Sequence, residues 1–366
     1  MFASSFDRVA RIIVVAAAVA CGLAGPLAAA AKRPQLSDAQ ARDYAYGEVL
    51  KPWDPLSDPL ATGAALTPDY IVDPMAIDGV KTFGTIQAAV DAAAAHGMKA
   101  GRRYIYVRPG VYREFLNVPD SPAPITIYGG SDDAAATRIT ETRDASVAGS
   151  TPASAIVKIR NHGFQAKSIT FENAFNKERG DWIAETDERT VQRQAVALMV
   201  DGADRVQFEN VRFIGFQDTL YLRGAAARSF FHRSYVEGDM DFIFGDATAY
   251  FHRSEIKSLG DRRVSYLLAP STHAKTRFGF VFNECRFTHD GSPNALTGTF
   301  KLARQWFQGR NPEAVGKAVI LNSRIGVHID RAQPWADWGI GTRNYRAVQY
   351  AADGEPYLAE YRNTGD

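Results

Sequence analysis

Gly215-Phe216-Gln217-Asp218-Thr219-Leu220-Tyr221 and, further along, Gly238-Asp239-Met240-Asp241-Phe242-Ile243-Phe244-Gly245 each set an aspartate among apolar and aromatic residues, and Asp218 and Asp241 are 23 residues apart. The same interval separates Phe208 from Phe231, each followed five residues later by another apolar residue, Phe213 and Val236. The two aspartates therefore hold the same place in consecutive repeats. If each repeat is one coil of a solenoid, the carboxyls stack on neighbouring strands, roughly 4.8 Å apart. Two carboxyls that close, facing one solvent pocket, resist ionising together. Such a pair is suited to catalysis.

The repeat continues through Phe251 with Ile256, Phe282 with Phe287 and Ile320 with Ile325, and upstream Phe171-Glu172-Asn173 anticipates Phe208-Glu209-Asn210. Intervals of 37, 23, 20, 31 and 38 residues between the first members imply loops of unequal length. Short Val/Ile/Phe-rich runs without intervening helices cannot bury a face alone and need stacked neighbours to complete a core. The expectation is an all-β chain, a right-handed single-stranded parallel β-helix. A β-sandwich is the rival, but it favours more even spacing and the hairpin dipeptide Asn-Gly, which the chain lacks. An open solenoid end exposes unpaired strand edges. The Ala-rich stretch from Thr85 to Ala95, with Ile86, Val90 and Ala93 on one helical face and Gly97 as its stop, reads as an N-terminal capping helix. Tyr104–Tyr112, two strand-like pieces around Pro109-Gly110, would open the first coil.

A chain of 366 residues suits one solenoid, which grows by adding coils. Its 42 basic and 41 acidic residues give a net charge of +1, which argues against nucleic acid or an anionic membrane surface as a general partner. Arg8 and Arg11, the apolar run from Ile12 and the small residues Ala28–Ala31 read as a secretory signal over 1–31. Residues 32–80 then form an extension and 81–366 the catalytic domain. Secretion or export to the periplasm is expected, with lipid attachment at Cys21, after Ala18-Val19-Ala20, as the alternative. The other cysteine, Cys285, reads as a buried inert thiol.

Zinc-site spacing, a Gly-x-Ser-x-Gly elbow and a phosphate-binding loop are all absent from the sequence. His232 and His252 fall at equivalent places in two coils and read as a stacked surface row. Asp239, Asp246 and Asp261 read as turn-forming or solvated, with Arg262 and Arg263 as polar loop residues. Phe242 and Ile243 read as core.

The segments 215–221 and 241–245, with Gln194-Ala195-Val196-Ala197-Leu198 upstream and Leu302-Ala303-Arg304-Gln305-Trp306 downstream, resemble the four signature blocks of the pectin methylesterase family in order and approximate spacing. The resemblance runs from Thr85 to Asn322. It implies a right-handed β-helix that hydrolyses methyl esters on galacturonan, pectin or its oligomers, without a metal or cofactor; a monomer is expected. Carried over by position, Asp241 is the nucleophile, and Asp218 is the general acid that protonates departing methanol and then activates water. Arg304 beside Asp241 favours its carboxylate and separates the two roles. Gln194 and Gln217 donate to the tetrahedral oxyanion, and Tyr221, Met240, Phe244 and Trp306 line the sugar cleft.

Two departures stand out: Ala303 and Gln305 replace the glycine and proline common in the fourth block, so the backbone around Arg304 is expected to run differently. Leu267–Thr272 and the interval from Phe287 to Leu302 resemble a bacterial branch that includes lipoproteins suspected of acting on other substrates. The alternatives are therefore an ester or thioester hydrolase on a non-pectin substrate, a β-helix glycosidase or lyase, and a non-catalytic envelope carbohydrate-binding protein.

Overall fold

The computed structural model describes residues 33–97, 101–175, 193–311, 313–340, 343–345 and 357–365. The signal-like segment and Cys21 lie outside them. Three parallel sheets of 11, 9 and 8 strands, here sheets I, II and III, are visited in rotation by successive short strands, which makes a parallel β-helix. The anchors deduced from spacing are in register. Phe208, Phe231, Phe251, Phe282 and Ile320 align on sheet I, and Phe213, Val236, Ile256, Phe287 and Ile325 align on sheet II.

These residues point inward, and the rings stack at the strand spacing. Centroids lie 4.8 Å apart for Phe208–Phe231, 4.3 Å for Phe231–Phe251 and 4.5 Å for Phe251–Phe282. Such pairs add about 0.5–1.5 kcal/mol each beyond the burial of their area. Phe171 breaks the deduced series. It pairs with Phe213 on sheet II, while the sheet I partner of Phe208 is Ala166. An alanine in the aromatic column hid the true anchor, and the Phe-Glu-Asn likeness pointed to the wrong sheet.

The corner from sheet I to sheet II is made by one residue with left-handed backbone, Asn210, Arg233, Arg253 and Glu284 among them. A single such residue turns the chain without breaking the stacking on either side.

The helix Ile86–Ala94 is capped by the Thr85 side chain and buries Ile86, Ala89, Val90 and Ala93 against the start of the solenoid. It ends at Ala94, before Gly97, with Ala95 as its C-cap. The strands Arg103–Val107 and Gly110–Tyr112 open the first three-sheet coil, but Tyr70–Val72 and Thr82–Phe83 already extend sheet I upstream of it. Leu36, Tyr44, Val49 and Leu50, also upstream, pack on the outward column Phe230, Tyr250, Val281 and Val319 of sheet I. His232 and His252 share that outward face two residues on. They stack at 5.2 Å, yet both are buried rather than on the surface, and Glu209 meets His232 Nδ1 at 2.9 Å. Cys285 is buried, donates weakly to Phe251 O and has its thiol pushed up to about 12 by burial.

Candidate active site

Sheet III carries the site on its outer face. Along its strands, Leu198, Leu220 and Ile243 point into the core, while the alternate column Met199, Tyr221, Phe244 and Ala269 points out and forms a small cluster of its own. Tyr221 and Phe244 stack at 4.2 Å, and Trp306 meets both edgewise at 6.4 and 5.7 Å. Together they floor and wall a cleft of about 570 Å³.

Asp218 and Asp241 sit on the corners leading into two neighbouring strands of this sheet. Leu220 pairs with Ile243, so each aspartate is two residues before a matched position. Both have left-handed backbone, φ 66° and 47°, a region that aspartate tolerates better than most residues. The Asp218 N–H donates to Met240 O at 3.0 Å and the Asp241 N–H to Tyr266 O at 2.6 Å, so the corners are tied to the next coil. Both carboxyls line the cleft, although each residue is less than a tenth exposed.

Their surroundings differ. Arg304 Nε donates to Asp241 Oδ1 at 2.9 Å and its Nη2 donates to Oδ2, a two-pronged grip on one carboxylate. The guanidinium carbon lies 4.2 Å from the ring centroids of both Tyr266 and Trp338, so the cation is sandwiched between two aromatic faces. Among the described residues, no guanidinium grips Asp218 in this way. Burial, reinforced by the charge of Asp241, holds its carboxyl well above the usual range despite Arg304.

Gln194 and Gln217 come from adjacent coils, Ala195 N–H donating to Gln217 O at 3.0 Å, and both line the cleft. Tyr221, Phe244 and Trp306 line it as well. Met240 does not. Its thioether meets Arg304 Nη2 at 3.7 Å. Phe242 and Ile243 are core. Asp246 is the turn residue expected, accepting from Gly224 N–H. Asp239 is neither turn-forming in the usual sense nor solvated. It is buried, with Arg262 Nε on its Oδ2 at 2.9 Å. Asp261 is half-buried rather than on the surface. Ala303 lies fully buried in an ordinary strand, paired with Leu268 and Trp335, so the missing glycine leaves no bend. Gln305 replaces a proline and uses its side chain to donate to Gly316 O.

Sequence reading missed Trp338, Gln308 and Ser150–Pro152, which also line the cleft, and Tyr266 behind Arg304. Gln308 bridges Ser271 to the Tyr221 hydroxyl. Trp338 lies on an antiparallel pair, Trp338–Ile340 with Arg343–Tyr345, outside the repeat, so no periodicity could have marked it.

A family model described as pectinesterase matches residues 73–366. The chain belongs to the pectinesterase family. It is thus a carboxylic-ester hydrolase. A pectinesterase of Ralstonia solanacearum is 34% identical, over 92% of this chain and 91% of its own. Among solved structures, the pectin methyl esterase of rice weevil superposes with a TM-score of 0.76 at 26% identity, covering 92% of this chain and 98% of that one. A pectin methylesterase in complex with a hexasaccharide gives 0.69 at 29% identity, covering 82% and 90%. These pectinesterase folds agree with the parallel β-helix found here, and the sandwich is excluded.

Proposed function

We propose that the chain hydrolyses methyl esters of galacturonan, in pectin or its oligomers, as an exported enzyme with Asp241 as nucleophile and Asp218 as general acid and base. The observation that carries this reading is the asymmetry of two stacked carboxyls, one gripped by Arg304 and the other with its pKa held well above the usual range by burial. In the first step an Asp241 oxygen adds to the ester carbonyl. The N–H groups of Gln194 and Gln217 donate hydrogen bonds to the developing oxyanion, each worth on the order of 3 kcal/mol in the transition state. The C–O bond to methoxide breaks as Asp218 gives up its proton, releasing methanol and leaving an anhydride with Asp241. Asp218, now ionised, takes a proton from water, which attacks the anhydride and frees the galacturonate carboxylate. Trp306, with Tyr221 and Phe244 beneath it, offers the apolar faces on which a sugar ring stacks.

The experiment is to measure methanol release and new reducing ends from highly methylated pectin and methylated oligogalacturonides, with Asp241→Asn as control. Methanol without reducing ends, lost in the variant, is the expected result. New reducing ends would transfer the reading to glycosidic cleavage, and silence on every substrate would overturn it.

A further inference from the structure

An amide donates to an oxyanion only when its nitrogen faces the cleft, and a glutamine side chain can turn over. For Gln217 the orientation has a visible cause. Arg262 Nη2 donates to Gln217 Oε1 at 3.0 Å. A guanidinium has only donors, so it can pair with the amide oxygen and never with the amide nitrogen. The nitrogen is thereby directed away from Arg262. Arg262 is itself fixed, its Nε on Asp239 Oδ2 at 2.9 Å, with both side chains nearly buried, 11% and 5% exposed.

Asp239 is also built into the site. Its N–H donates to Phe216 O at 3.2 Å, its carbonyl accepts from Ser265 Oγ at 2.5 Å, and it lies two residues before Asp241. Gln217 and Met240 face each other as a parallel bridge between the same two corners. The Asp239–Arg262 pair therefore links the corner bearing Gln217 to the corner bearing Asp241. Gln194 has no counterpart: its Oε1 is buried without a hydrogen-bond partner among the described residues.

We propose that Arg262, anchored by Asp239, is a positioning residue that locks the Gln217 amide with its N–H toward the cleft. The inference rests on the functional reading above, in which Gln217 donates to the oxyanion. Arg262 acts through a neutral amide, and its charge, placed behind the carbonyl oxygen, polarises the group so that its N–H becomes a better donor. The lock is set before substrate arrives, which is where preorganised donors gain their effect.

The test is a double-mutant cycle on methanol release from methylated pectin, using the full chain as wild type, Arg262→Met, Gln217→Ala and the double variant. Methionine keeps the length of arginine without its donors. Arg262→Met is expected to lower kcat by about 10- to 100-fold at nearly constant KM. In the Gln217→Ala background the same change should cost less than about twofold, because the group it acts through is gone. Arg262→Lys, which keeps one donor charge, should recover part of the loss. Equal losses with and without Gln217, or a rise in KM alone, would overturn the proposal. Should Arg262→Met fail to fold, Asp239→Asn, nearly isosteric and still able to accept from Arg262 but without its charge, runs the same cycle with a smaller expected loss of kcat and the same criterion. A wild type that releases no methanol would overturn the functional reading itself; an active wild type with multiplicative losses overturns only the lock.

Discussion

Two pairs of like titratable residues stack on consecutive coils of this solenoid, Asp218 with Asp241 and His232 with His252, and they have come to opposite ends. Both pairs follow from the repeat, since any residue at a repeated position meets its counterpart one strand spacing away. The aspartates stand on corners where the chain leaves sheet II for sheet III, with a cleft in front and Arg304 on one member only. The histidines stand on the outer face of sheet I beside Phe230 and Tyr250, where upstream residues cover the sheet, and their charge partners Glu209 and Glu284 are distributed one to each. Stacking alone thus makes a strained electrostatic pair. An asymmetric partner and access to solvent turn it into a candidate catalyst.

The sharpest way to break the contrast is Asp241→Asn, which keeps shape and removes the carboxylate. Turnover should fall on the order of 10⁴-fold or more with an unchanged circular dichroism spectrum, whereas comparable substitutions of the histidines should not approach this loss. Next in size is Gln194→Ala, expected to cost about 10²-fold in kcat with KM nearly constant, read by methanol release at saturating substrate. A loss confined to KM would place Gln194 in ground-state binding.

Asp218→Asn sharpens the comparison through stability. The folded state holds the Asp218 proton more tightly than the unfolded chain, so the wild type loses stability as pH rises from the ordinary carboxyl value toward the raised one, and carries the full cost above both. The variant escapes that cost. Its melting temperature should exceed the wild type's at neutral pH and converge with it in acid, while methanol release is lost. A variant less stable at pH 7 would show that Asp218 is not held at the expense of the fold.

The smallest effect belongs to His252→Asn. Burial and the neighbouring His232 push the His252 pKa down, so here the folded state binds the proton less tightly, and stability is lost as pH falls below the ordinary histidine value of about 6.5. The variant should lose less melting temperature than the wild type on going from pH 7 to pH 5. Methanol release at pH 7 should stay within about twofold. A large loss of turnover would erase the distinction between the two pairs.

Much of this was legible in the chain. The 23-residue interval between Phe208 and Phe231 fixed the register of both the core column and the aspartates, because in a parallel solenoid one offset applies to every residue of a coil. The signature blocks, being local, marked Gln194, Gln217, Arg304 and Trp306. Asp239 and Arg262 were misjudged because a corner aspartate and an arginine-rich loop look solvated in one dimension, whereas in the fold they pair with each other and are nearly buried. His232 and His252 were placed in the right row but at the wrong depth, since nothing in their own repeat announces that upstream residues pack on the adjoining Phe230 and Tyr250.

By itself, then, the sequence determined the periodic part: which strands stack, which rings fill the core, and that two carboxyls would meet. The tertiary structure decided what surrounds them, because those neighbours come from loops of unequal length that no period governs. Arg304 reaches Asp241 across 63 residues, Arg262 reaches Gln217 across 45, and Trp338 closes over the guanidinium from outside the repeat. Stacking is a local rule repeated, whereas burial and charge pairing at a site sum over everything that arrives there.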